Sequence, residues 1–282
     1  MTRWIAITTT IVLTGAPARA ATFPGDASYV PLRCGGAVMT DPLGDAPPAL
    51  DERDLVGDSN APAGLRASDA NFLYLRIRVD RDPAPAGSVR PFAWGMAFDL
   101  DGDRSTYELL IALDGIGSQS GTVSVFTNHA TTQANDPADP ADLPAAATLP
   151  FASAARTTGA GTTNGGNADF FVDLAVPWAM LTPLGLAPDT RTYVWAGSSS
   201  VANALDGDLA CHDGRTGGKP LLGATASDPT TGDPARDPSG GGGGNGDLRL
   251  EGGSGCQAGG SPGIGAVLAL LGVRRRRRSP RV

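Results

Sequence analysis

The stretch Phe72–Asp80 reads FLYLRIRVD and alternates without a fault. Leu73, Leu75, Ile77 and Val79 fall on one face; Tyr74, Arg76, Arg78 and Asp80 fall on the other. A period of two is the geometry of a strand whose faces meet different surroundings, and it cannot be accommodated by an amphipathic helix. The same alternation recurs. Phe92, Trp94, Met96 and Phe98 share a face in Phe92–Asp99, as do Tyr107, Leu109, Ile111 and Leu113 in Tyr107–Leu113. Thr122–Thr127 turns Val123 and Val125 inward, and Phe170–Val176 turns Phe170, Val172, Leu174 and Val176 inward, leaving Asp173 opposite. Thr190–Ser198 places Tyr193 and Trp195 on one side. Asp-Gly-Asp, Asp-Gly and Gly-Gly-Asn turns separate these runs. Only Pro177–Leu181 suggests a short helical turn, with Pro177 fit to begin it. Short alternating strands with Gly, Pro and Asp turns predict an all-β fold, an antiparallel β-sandwich of two packed sheets. Asn128–Thr163, rich in Ala, Pro, Thr and Asp, is expected to be a long, poorly ordered loop with one brief strand near Ala147–Ala155.

The ends of the chain carry addresses. MTR, the apolar run WIAITTTIVLTGA and Ala18-Arg19-Ala20 have the three parts of a secretory signal peptide. Residues 1–20 are therefore set apart from the fold, with 21–40 as a lead-in and 41–213 as the sandwich domain. Residues 214–255 read as a disordered linker rich in Gly, Pro and Asp, with five consecutive glycines at Gly240–Gly244. Such composition makes a flexible stalk. Residues 256–282 form a C-terminal sorting or anchor segment: Cys256, a short hydrophobic helix over Pro262–Val273, then Arg274–Arg278. The apolar run is short for a full span, but Arg side chains snorkel and extend its reach.

Removing both ends changes the electrostatics. They hold eight of the 22 basic residues and none of the 29 acids, leaving residues 21–255 with 14 bases and a net charge of −15. That balance excludes a nucleic-acid partner for the body and suits cation binding. Two cysteines remain there, Cys34 and Cys211, near the two ends of the folded part. In an oxidising compartment they are expected to form a disulfide worth roughly 4–5 kcal/mol through loop closure.

The ordered set of Gly255-Cys256, apolar run and Arg cluster resembles the MYXO-CTERM class of C-terminal sorting signals over about the last 27 residues. The resemblance implies recognition by a membrane sorting protease, processing and lipid attachment at Cys256, and anchorage at the outer cell surface. A second resemblance covers Asp41–Asp213. DPLGD (Asp41–Asp45), DLVGD (Asp54–Asp58), FLYLRIRVD, WGMAFDLDGD and FFVDLAVPW look like the sandwich of family-nine-like carbohydrate-binding modules and their DOMON relatives. It implies sugar binding, haem binding or surface adhesion, among which fold alone does not choose.

The sharpest chemical pattern is DLDGDRSTYE. Asp99, Asp101 and Asp103 sit at i, i+2 and i+4 around Gly102, with Glu108 following, and hard oxygen ligands so spaced suit Ca²⁺. The alternative is a solvated turn whose carboxylates cap backbone N–H groups. Asp54/Asp58 and Asp206/Asp208 are weaker acidic turns. For a glycan platform, Tyr74 on the polar face of its strand and Trp195 are the exposed-aromatic candidates, whereas Trp94 belongs to the core. His129 and His212 stand in no hydrolase, metalloprotease or cysteine-nucleophile motif, so a non-catalytic protein is expected. The functional expectation is a surface-anchored module binding an extracellular ligand such as a glycan, supported by calcium. A structural envelope or adhesion protein, a haem electron-transfer module and a two-carboxylate glycoside hydrolase are the alternatives; a haem would need Met, His or Lys as axial ligand, and of these Lys219 lies beyond the sandwich, Met96 points with the core and Met180 lies on the turn after Trp178.

Overall fold

The computed structural model describes residues 20–34, 37–46, 50–103, 106–117, 121–134, 136 and 138–210. The expected signal peptide up to Arg19, the expected stalk, Cys211, Cys256 and the C-terminal hydrophobic segment lie outside them, and so does the expected Cys34–Cys211 clasp. Among the described residues no helix is long and apolar enough to cross a membrane.

The elements follow in order: β1 (Val30–Pro31), β2 (Arg33–Cys34), β3 (Ala37–Val38), β4 (Gly64–Ser68), β5 (Phe72–Val79), β6 (Ala93–Asp99), β7 (Leu109–Asp114), β8 (Thr122–Thr127), β9 (Ala147–Pro150), α1 (Phe151–Ala154), β10 (Ala155–Gly159), β11 (Phe170–Pro177), α2 (Trp178–Leu181), β12 (Tyr193–Ser199) and β13 (Asp208–Leu209). They build two antiparallel sheets, ordered β1-β4-β5-β11-β10 and β13-β12-β6-β7-β8-β9, with β2-β3 as a small ribbon. Residues of the lead-in thus supply an edge strand to the first sheet.

The alternation explains the layering. Leu73, Leu75, Ile77, Val172, Leu174 and Val176 from the first sheet pack against Trp94, Met96, Phe98, Ile111, Val123 and Val125 from the second. Trp94 is fully buried, its Nε1 donating to the Glu52 carbonyl at 2.8 Å and its ring meeting Phe92 edge-on at 6.1 Å.

The outer faces are covered as well, which alternation does not predict. On the first sheet, the segment before β1 brings Phe23 and Tyr29 over Ala67, Tyr74 and Ala175. Arg76 is buried there between the rings of Tyr29 and Phe171, at 3.8 and 4.2 Å from their centroids. Its charge is met across the strand pair: Asp173 stands opposite Arg76 in β5 and opposite Arg156 in β10. The Arg76 Nε and Nη2 atoms donate to Asp173 Oδ1 and Oδ2 at 2.6 and 2.9 Å, and Arg156 Nε donates to Oδ2 at 2.7 Å.

On the second sheet, Tyr107, Leu110, Phe126, Ala141, Tyr193, Trp195, Leu205 and Leu209 form a separate apolar layer. Tyr107 therefore leaves the face expected for it beside Leu109, because it precedes the strand. Small residues flank Trp195 in the register: Ala97 stands directly opposite it, and Gly197 lets β13 approach, since a Cβ there would meet Leu209 at 2.8 Å.

The expected poorly ordered loop is more structured than its composition suggests. Besides β9, it contains α1 and β10, which pairs with β11. Its first part is held by one carboxylate. Asp139 Oδ1 accepts from the Thr132 and Gln133 N–H groups at 2.9 and 2.8 Å and from Thr132 Oγ1; Oδ2 accepts from Asn128 Nδ2 at 3.0 Å. Burial raises the Asp139 pKa, but the donated bonds from Thr132, Asn128 and Gln133 outweigh it and hold the group below its ordinary value. The stabilisation is therefore present above about pH 3.8, the ordinary value, and is lost as pH falls through the lower folded value. Asp139→Ala should cost about 2 kcal/mol. Asp139→Asn should flatten the fall of melting temperature below that pH, measured by circular dichroism. An unchanged acid limb would show that Asp139 does not hold the loop.

Candidate functional site

The β6–β7 hairpin places three of the four expected metal ligands together. Asp99 ends β6, Glu108 directly precedes β7, and Asp101 lies in the turn between them. One carboxylate oxygen from each lies within 4.8 Å of the others. The hairpin fixes this arrangement: Glu108 N–H donates to the Phe98 carbonyl at 2.9 Å, and Thr192 Oγ1 donates to the Asp99 carbonyl. Asp103 is not in the group. Gly102 adopts φ 82°, turning the chain, and the Asp103 N–H donates to Asp101 Oδ1 at 2.8 Å. That left-handed conformation is why the turn needs glycine.

The two carboxylate oxygens of Asp99 differ. Oδ1 accepts from the Asp101 and Gly102 N–H groups at 3.1 and 2.7 Å, the ordinary chemistry of an Asp turn. Oδ2 is buried and has no hydrogen-bond partner, on a residue that is 0% exposed. A buried polar atom without a partner is costly and rare. Burial lifts the Asp99 pKa to about 6; the Gly102 N–H opposes this and the Glu108 charge adds to it. Glu108 is also raised by burial, although its Oε2 accepts from the Leu100 N–H at 2.6 Å and its Oε1 from Thr106 Oγ1 at 3.2 Å. Three carboxylates supply up to six oxygens for a hard divalent cation, and exposed Asp101 opens the group to solvent.

The aromatic expectations fare differently. Trp195 is 0% exposed beneath the outer apolar layer, so it forms no platform. Tyr74 is 2% exposed, against the expectation of an exposed aromatic, because Phe23 and Phe72 pack against it at 5.9 Å. Its hydroxyl lies 2.8 Å from Asp69 Oδ2 and 3.1 Å from the Thr22 carbonyl. Even so, Tyr74 borders a pocket of about 410 Å³ with Thr22, Asp69, Asn71, Phe72 and Pro177. Ala20, the last residue before the expected cleavage point, forms one edge. The strand alternation identifies Tyr74 but gives no hint of Asp69 and Asn71, which come from the β4–β5 turn.

No protein-family model matches the chain, and no curated protein or solved structure is significantly similar to it.

The remaining acidic turns are mainly structural. Asp58 Oδ1 accepts from the Asn60 and Ala61 N–H groups at 2.7 and 2.8 Å, and Asp206 Oδ1 accepts from Ser199 Oγ at 2.5 Å. Asp54 caps a turn through the Gly44 and Ala46 N–H groups at 2.7 and 3.2 Å. His129 is on the surface, with Nδ1 3.2 Å from Asp142 Oδ2.

Proposed function

We propose that the chain is an exported, non-catalytic β-sandwich, anchored at the outer cell surface through its C-terminal segment, which binds an extracellular ligand with calcium held at Asp99, Asp101 and Glu108. The observation that carries the calcium part is the buried, unpartnered Asp99 Oδ2 among three carboxylates. Calcium takes six to eight oxygens at about 2.3–2.6 Å. The exposed side of the group leaves positions for water or for ligand hydroxyls. A glycan is the ligand class that the sequence resemblance favours, and the pocket beside Phe72 and Tyr74, with Asp69 and Asn71 on its wall, combines the apolar and polar surfaces a sugar needs. Signal-peptide cleavage after Ala20 and sorting at Cys256 supply the location.

Burial of Trp195 and of most of Tyr74 favours the second reading, a structural envelope protein with no small ligand. Screening the full-length chain against a glycan array, in calcium and in chelator, separates the two. Under the first reading, retention on a defined glycan class is lost in chelator and in Asp101→Ala. Absence of retention in both conditions favours the envelope reading.

A further inference from the structure

A second acidic group lies elsewhere in the fold, built from parts that are distant in sequence. Asp41 belongs to the DPLGD motif and makes an isolated bridge with Gly57, exchanging N–H···O bonds of 2.9 Å in both directions. Asp45 closes the same motif. Asp208 belongs to β13, which pairs with β12 at the opposite end of the described chain. One carboxylate oxygen from each of the three lies within 4.8 Å of the others.

Apart from the Asp208 carboxyl beside it, the carboxylate of Asp41 has no donor for either oxygen, although the residue is only 3% exposed. Its neighbour Asp208 is 4% exposed and accepts from the Leu55 N–H at 2.5 Å. The charged groups acting most strongly on Asp41 are Asp208, Asp45 and Asp54, all of one sign. A turn cap does not explain this arrangement, because the Asp41 carboxylate accepts from no backbone N–H. We propose that Asp41, Asp45 and Asp208 bind a divalent cation of the calcium class, which clasps the start of the sandwich to its last strand. Asp45 is the half-exposed member and gives the ion its way in. Up to six carboxylate oxygens in a buried setting suit Ca²⁺ better than Mg²⁺, which demands octahedral geometry and keeps several waters. The clasp closes the chain between the two regions that a Cys34–Cys211 disulfide is expected to join, but it needs no thiol.

The competing account is a proton shared between Asp41 and Asp208. Burial and the neighbouring carboxylates raise Asp41 well above its ordinary value, and burial, with the charge of Asp45, raises Asp208 to about 8. The two accounts differ in what Asp41→Asn does. That substitution relieves the like-charge contact and removes a ligand oxygen.

The test is equilibrium dialysis of the chelator-treated full-length chain against Ca²⁺, with bound metal counted per chain, alongside melting curves with and without Ca²⁺. The wild type is expected to bind two equivalents, Asp41→Asn one and Asp101→Ala one. The calcium-induced rise in melting temperature should shrink in Asp41→Asn. An unchanged metal count and an unchanged calcium response in Asp41→Asn would overturn the clasp and leave the shared proton. Loss confined to Asp101→Ala would overturn the clasp while sparing the hairpin site; loss confined to Asp41→Asn would do the reverse. If Asp41→Asn does not fold, Asp45→Asn at the half-exposed position gives the same readout. Binding of Mg²⁺ with equal affinity would overturn the calcium assignment.

Discussion

Asp173→Ala is expected to remove about 3–5 kcal/mol of folding stability, the range for breaking a buried ion pair from one side. Asp173 is fully buried and receives three charge-assisted bonds, two from Arg76 and one from Arg156. Arg156 is about a third exposed and can turn to water. Arg76 cannot: it is held between two rings, and its other carboxylate partner is Asp26, at 2.8 Å on the surface. The cost of the single substitution is thus mostly the guanidinium left behind. Replacing the pair together, as Asp173→Leu with Arg76→Met, should cost less than Asp173→Ala alone, since buried ion pairs seldom outperform apolar residues of similar volume. Urea unfolding gives both values, with the slope unchanged if compactness is preserved. A loss below about 1 kcal/mol for Asp173→Ala would place the ion cluster in the class of exposed pairs.

Trp94→Ala should cost a similar amount, about 3–5 kcal/mol, for a different reason. Its ring fills the space between the sheets, so truncation leaves a cavity that two hydrogen-bonded sheets cannot close. It also leaves the Glu52 carbonyl without its donor. Trp94→Phe keeps most of the packing and loses that bond, so it should cost about 1–2 kcal/mol. Equal losses in the two variants, measured by the same urea unfolding, would contradict the cavity argument and make the hydrogen bond the larger contribution.

These two residues mark how far the sequence can be read. The face of Trp94 follows from its spacing with Met96 and Phe98, because a period of two leaves a strand residue only two directions. Nothing in that spacing says what lies beyond the second direction. Chemical type alone assigns Tyr74, Arg76 and Arg78 to a polar face. Their burial comes from Phe23, Tyr29, Phe171 and Asp173, contributed by segments far along the chain. The lone Asp173 on its strand face, against two arginines on β5, is the available signal for that pairing. Trp195 fails as a platform for the same reason: the loops after β8 and β12 supply Ala141 and Leu205 to its cover.

The acidic sites divide along the same line. Asp99, Asp101 and Glu108 are legible because a hairpin brings its own two strand ends together. Spacing includes Asp103 with them, and the turn at Gly102 takes it away. Asp41, Asp45 and Asp208 are visible in the sequence only as separate acidic turns, since no local rule places the start of a sandwich beside its last strand.

The most direct measurement is thermal unfolding of the full-length chain in calcium and in chelator, beside Asp101→Ala. Asp101 is exposed, so its loss should leave the fold intact. Calcium at a hundredfold excess over Kd should stabilise the wild type by about 2.7 kcal/mol per site. Asp101→Ala should lose the contribution of the hairpin site. A melting temperature that does not respond to calcium in the wild type would contradict the account, and would return Asp99, Asp101 and Glu108 to ordinary turn chemistry.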